Sequence, residues 1–213
     1  MTTKMGLVLA VGVLAIVTSR AATAPLTLAV SGRSNANPTL AVSGSFVAAA
    51  WSASLPDGVT DIYTAVSRDV GATFTSPVRV NSTQGDARVN GEQPPRVSLV
   101  ARTGSLPAMT VVWTSKGNQG TTILTARSED GGRTFSASAL VPGGEAAGNR
   151  GWENAAPDAA GRTRVVWLDH RDMAAASGAP MAHEHAGHDA TADAKKDGAA
   201  MAQQSKQIGR AHV

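Results

Sequence analysis

The 213-residue chain contains no cysteine. Disulfides are therefore excluded, and so is the lipid-modified cysteine that anchors bacterial lipoproteins. Aromatic residues are scarce, with four Trp, three Phe and a single Tyr. No basic run is interleaved with aromatics, so nucleic-acid binding is not expected. An apolar pattern of helical period is missing outside the N-terminus. The formal charge of +3 is also less than it looks. Lys4, Arg20 and Arg210 lie in terminal segments argued below to stand outside the mature fold, and without them no net charge remains. The basic balance is thus no argument for nucleic acid or an anionic membrane.

One motif is present twice. Ser67-Arg68-Asp69-Val70-Gly71-Ala72-Thr73-Phe74 and Ser128-Glu129-Asp130-Gly131-Gly132-Arg133-Thr134-Phe135 both read S-x-D-x-G-x-T-F, 61 residues apart. A fixed-period repeat bears on the fold before any local feature does. Each copy follows an apolar strand pattern, Asp61–Val66 or Thr121–Ala126. The Asp side chain suits backbone N–H groups of a turn, Gly71 and Gly132 supply φ > 0, and Thr73 and Thr134 add a local bond. Phe74 and Phe135 then pack beneath the hairpin. A carboxylate that recurs is a turn fastener and not the unique acid of a site.

The repeat extends upstream. Asn37–Val42 and Phe46–Trp51 precede the first copy; Gln93–Leu99 and Met109–Trp113 precede the second. A third start is read at Ala156-Pro157-Asp158-Ala159, followed by Thr163–Trp167. Each unit reads as a Pro-led strand and an apolar strand ending in Trp. In units one and two a third strand, the Asp turn and a fourth strand follow. Four strands per unit of about 60 residues fit a propeller blade, and short strands between Gly-rich turns fit an all-β chain.

The S-x-D-x-G-x-T-F motif resembles the Asp box of the bacterial neuraminidase repeat, found in the sialidase superfamily. The resemblance covers roughly residues 36–172. It implies an all-β, six-bladed propeller of which about two and a half blades are present, with each box on the turn between the third and fourth strands. It also implies a glycosidase of exo-α-sialidase type acting on terminal sialic acid or a related acidic sugar. The alternative is a non-catalytic propeller that binds a glycan, a protein or a metal, since fold and function separate.

Both ends differ from the middle. Lys4, the thirteen-residue apolar run Met5–Val17 and the small residues through Ala24 read as a secretory signal, with 1–21 removed and 22–35 leading into the blades. The run is short for a membrane span, so no stable insertion is expected after cleavage. The protein is expected to be secreted or periplasmic. Ile208–Val213 back-translates to a string resembling a sequencing-adapter read. Residues 206–213 are accordingly expected to be a non-native tail on an N-terminal fragment.

Residues 173–205 are rich in Ala and lack apolar periodicity, as a flexible insertion would. His183, His185 and His188 lie within six residues there, a pattern that suits weak binding of a divalent metal. No other cofactor is expected.

The resemblance implies a Tyr nucleophile paired with a Glu, an Asp as acid/base, and three Arg gripping the substrate carboxylate. Tyr63 lies mid-strand and reads as structural. The family's early Arg-Ile-Pro signature has no counterpart at Ser34–Pro38, with Arg33 out of register. In Trp167-Leu168-Asp169-His170-Arg171-Asp172 a strand end concentrates acid, base and guanidinium. Asp169 and Arg171 are the remaining catalytic candidates; a structural Asp–Arg turn is the alternative.

Overall fold

The computed structural model describes residues 25–171 and the backbone of 207–212. The proposed signal segment and His183, His185 and His188 lie outside the described residues. The first sheet contains β1 (Ser34–Ser43), β2 (Phe46–Ser54), β3 (Thr60–Ser67) and β4 (Val78–Arg79), in that order and antiparallel. The second repeats it with β5 (Arg96–Val100), β6 (Ala108–Gly117), β7 (Gly120–Ser128) and β8 (Ala139–Leu140). In the third, β9 (Arg150–Pro157), β10 (Thr163–Asp169) and β11 (Gln207–His212) are neighbours in that order. Residues 36–141 contain no helix. Among the described residues no helix is long and apolar enough to cross a membrane.

The second, third and fourth strands of the first two sheets match rung for rung. Trp51 pairs with Tyr63 as Trp113 pairs with Leu124. Tyr63 pairs with Arg79 as Leu124 pairs with Leu140. The sheets stack face to face, and both faces of the second strands are buried. Phe46-Val47-Ala48-Ala49-Ala50-Trp51 is buried throughout, its alanines letting neighbouring layers approach. One core joins Ala48, Ile62 and Val66 of the first sheet to Leu99, Met109, Val111 and Trp113 of the second. Another joins Val112, Ile123 and Val141 to Val165 and Trp167 of the third sheet. The first strands touch, β1 against β5 and β5 against β9, while the fourth strands lie outermost. First strands gathered inward with sheets fanning around them make this a partial β-propeller. At the rim, Ser82 and Ser138 fasten sheets one and two by reciprocal bonds between backbone N–H and side-chain oxygen of 3.0 and 3.1 Å.

The turns joining β3 to β4 and β7 to β8 carry the repeated motif. The Ser67 hydroxyl donates to Asp69 Oδ1 at 2.6 Å and accepts from the Gly71 N–H at 2.8 Å. Asp69 accepts from the Thr73 N–H and hydroxyl at 2.9 and 2.6 Å. Ser128, Asp130, Gly132 and Thr134 repeat these bonds at 2.8, 2.8, 3.1 and 2.6 Å. Hydrogen bonds from Ser67 and Thr73 hold the Asp69 carboxyl at about 2, and those from Thr134 lead in holding Asp130 lower still. Gly132, at φ +84°, cannot be replaced cheaply, because a Cβ there would stand 2.8 Å from Met109 Cε and 2.9 Å from Val66 Cγ1. Phe74 packs against the cluster of Trp51 and Ala65, and Phe135 against the core between sheets. The fourth strands are two residues long and start at Val78 and Ala139, four residues beyond each Phe.

The third unit departs from the sequence-based register. Pro157 ends β9 instead of leading it, since a proline has no N–H to continue the ladder. The strand starts at Arg150. Pairing places Asn154 opposite Val166, as Thr39 faces Ala50 and Arg96 faces Val112. Glu153 therefore stands where Pro38 and Pro95 stand in the other units. Gln207–His212 pairs with Asp169–Arg164 along β10.

Candidate ligand-binding cleft

The innermost strands begin irregularly, and this creates the cleft. β1 has a register shift between Ala36 and Thr39, and β10 shifts against β9 between Val166 and Leu168. The bulged residues are Asn37-Pro38 and Trp152-Glu153. Asn37 and Trp152 both take positive φ, +57° and +53°. The equivalent place in unit two is Pro94-Pro95, whose rings forbid that conformation, and β5 there pairs only from Arg96 onward. For a tryptophan, left-handed backbone is a genuine outlier, of the kind that gathers at ligand sites. Trp152 is 42 % exposed, with the His170 ring centroid 5.5 Å from its own.

Trp152 and His170 line a cavity of about 320 Å³ together with Arg88, Asn90, Gln93, Thr114, Thr121, Asn149 and Arg150. Arg150 is 2 % exposed. Its Nε donates to Asp169 Oδ2 at 3.2 Å, and its backbone is clamped to the Thr121 hydroxyl at 2.6 and 2.9 Å. Its Nη2 is buried with no hydrogen-bond partner. Two other buried atoms near the cavity share that condition, His170 Nε2 and Glu153 Oε1. Thr64, Thr125, Trp113 and Trp167 also carry unpaired buried atoms within the packed sheets, but Arg150 and His170 line the cavity, where a ligand or water can complete the bonding.

Asp169 anchors this arrangement. It accepts from Arg150, from Arg171 Nε at 3.0 Å and Nη2, and from the Arg171 N–H at 3.1 Å. Burial pushes its carboxyl up, but hydrogen bonds from Arg171 and the charges of both guanidiniums outweigh that and hold it at about 2. It is an anion at neutral pH and carries no proton to give. One carboxylate thus faces two guanidiniums and fixes the orientation of both. Glu153 is the opposite case. Burial pushes its carboxyl up, against hydrogen bonds that include Thr114. The Thr114 hydroxyl donates to Glu153 Oε2 at 2.8 Å, linking the acid to the cavity wall.

Asp169 and Arg171 are thus brought together, with Arg150 as a third member. Tyr63 is remote, its ring 6.4 Å from Trp51 and capped by Arg33 at 5.5 Å. Arg33 pairs with Asp61 at 2.9 Å. Among the described residues, no three His, Cys, Asp or Glu gather as a metal site. Arg150, Trp152 and Glu153 escaped the sequence reading because the prolines were aligned. Only the ladder register, with its bulges opposite Trp51 and Trp167, places Trp152 level with Asn37.

No family model matches the chain, and no curated protein does. Among solved structures it is similar to the Hadza microbial sialidase Hz136, at 16% identity and TM-score 0.46, over 65% of this chain and 33% of that one. It is similar to the GH43 protein BlXynB of Bacillus licheniformis at 12% identity and TM-score 0.27, over 64% and 37%. The chain spans about a third of the length of either. Likenesses this loose carry no argument, and the fold rests on its own strand order and register.

Proposed function

We propose that this chain is part of an exported, carbohydrate-active β-propeller whose inner cleft binds an acidic sugar. The unpartnered Nη2 of buried Arg150, beside the exposed ring of Trp152, carries the reading. A carboxylate would pair with the fixed guanidinium, and the indole face would lie against the sugar's C–H surface. Asp169 orients Arg150 and does not react. The finer reading, release of terminal sialic acid by an exo-α-sialidase, needs a Tyr nucleophile at the cleft. Tyr63 lies in the first sheet against Trp51, which favours binding without hydrolysis by this chain itself. Calorimetric titration with N-acetylneuraminic acid tests the proposal. Binding is expected to weaken about a hundredfold in Arg150→Ala and to disappear for a neutral sugar of similar size. Equal binding of charged and neutral sugars would sink it.

A further inference from the structure

We propose that Asn90 is a site of self-modification: its side-chain amide is lost through a cyclic imide with Gly91, and the carboxylate that results closes the inner cleft to anions. Of the seven asparagines in the chain, Asn90 alone is followed by glycine. The step is an intramolecular substitution. The Gly91 backbone nitrogen gives up its proton to solvent and forms a bond to Asn90 Cγ. The Cγ–Nδ2 bond breaks, and the departing nitrogen takes a proton and leaves as ammonia. Water then opens the imide at either carbonyl, to aspartate or to isoaspartate. A side chain on residue 91 would crowd the attacking nitrogen; glycine has none, and the space a Cβ would fill is empty to 4 Å.

The fold promotes the attack. Asn90 and Gln93 exchange backbone bonds at 3.3 and 3.1 Å, closing a tight turn. Inside it Asn90 Oδ1 accepts the N–H of Glu92 at 2.9 Å and that of Gln93 at 3.0 Å. Two donors on one carbonyl oxygen draw electrons from Cγ, and they meet the negative charge that gathers on Oδ1 as the nitrogen adds. Donors already in place where charge develops lower a barrier without reorganisation. Asn90 and Gly91 are both exposed, so water reaches the imide. Asn35 Oδ1 also accepts two bonds, from the Val30 N–H and Trp51 Nε1, but Ala36 follows it within β1. It is an internal control.

The product lands where charge matters. Asn90 lines the cavity that holds Arg88 and Arg150, and no carboxylate is in that lining. Aspartate at position 90 adds one and opposes an incoming anion. Isoaspartate also lengthens the backbone inside the turn and moves Gln93, another wall residue. The chain thus carries a clock that retires its cleft with age. That consequence rests on the inner cleft binding an acidic sugar; the modification itself does not.

The test holds the whole chain in mildly alkaline heavy-oxygen water and follows its peptides by mass spectrometry. The peptide spanning Asn90 is expected to exchange its amide for labelled oxygen, several times faster in the folded chain than in guanidinium, while Asn35 stays intact. Gly91→Ala should slow this about tenfold by crowding the attacking nitrogen. No label at Asn90, or a folded chain slower than the denatured one, would overturn the self-modification. Asn90→Asp, which keeps the acceptor of the turn, should bind N-acetylneuraminic acid about tenfold more weakly than the parent. Equal affinity would overturn the closing of the cleft. A parent that binds no sugar would sink the acidic-sugar reading alone, with the mass gain still deciding the modification.

Discussion

Two buried arginine–aspartate pairs divide the molecule into a part that is finished and a part that is open. In the first sheet Arg33 Nη1 donates to Asp61 Oδ2 at 2.9 Å and to the Ala53 carbonyl at 3.0 Å. Asp61 Oδ1 accepts from Asn81 and from the Gly85 N–H at 2.9 and 2.8 Å. Burial pushes the Asp61 carboxyl up, yet these bonds and the Arg33 charge bring it below the ordinary value. In the third sheet Arg150 and Asp169 make the same kind of pair, but Arg150 Nη2 has no partner. Similar chemistry serves two ends. A saturated pair ties β3 to the loop after β4. An unsaturated one is held ready at a cavity.

The largest expected effect separates the two on stability. Arg33→Ala should destabilise the chain by about 3 kcal/mol, because breaking a buried pair strands the remaining charge, while sugar binding stays at the parent level. Chemical denaturation with parallel titration checks this. The lost stability should be fullest above about pH 4 and shrink as pH falls further. Asp61 has a lowered folded pKa, so its contribution is present above the unfolded value and vanishes as it protonates. A loss of binding equal to that in Arg150→Ala would erase the distinction between the pairs.

Glu153 sharpens the contrast next. Burial raises its folded pKa, so in the window between the unfolded and folded values the folded chain binds more proton than the unfolded one. Stability therefore falls as pH rises from the unfolded value through the folded one. Glu153→Gln, neutral at every pH, should raise the melting temperature at pH 7 by a few degrees, the size of roughly 1 kcal/mol in a domain of this length. The gain should fade toward pH 4.5. A destabilised variant at pH 7 would mean that Glu153 is charged and paired in the folded state.

The smallest effect concerns Trp152. Left-handed backbone costs a non-glycine residue about 1–2 kcal/mol, and this ring is too exposed to recover much of that by burial. In Trp152→Gly the relief and the added freedom of the unfolded chain should offset each other to within about 1 kcal/mol. Affinity for the acidic sugar should fall about tenfold. A large drop in melting temperature with unchanged affinity would assign the ring to the fold instead of the cleft.

The all-β class and the doubled four-strand unit were legible because strand period, turn glycines and repeat spacing are local properties. Trp51 and Trp113, each ending an apolar run, mark equivalent rungs of the two sheets. The third unit misled for a local reason too. Pro157 resembles Pro38 in sequence, but its neighbour across the ladder is Thr163, at the hairpin end. The cleft was hardly legible. Asp169 and Arg171 stood out as a cluster of charge, whereas Arg150 lies 19 residues from Asp169, and Arg88 lies a whole sheet of chain before Arg150.

By itself, then, the sequence determined the element type, the repeat and the residues that can close a β3–β4 turn, since each depends on neighbours within a few positions. Tertiary structure alone decided which polar groups go unsatisfied. Arg150 Nη2, His170 Nε2 and Glu153 Oε1 are buried without partners on β9 and just beyond β10, where sheet three packs against sheet two. Burial and pairing depend on contacts between distant segments, and no spacing along the chain records them.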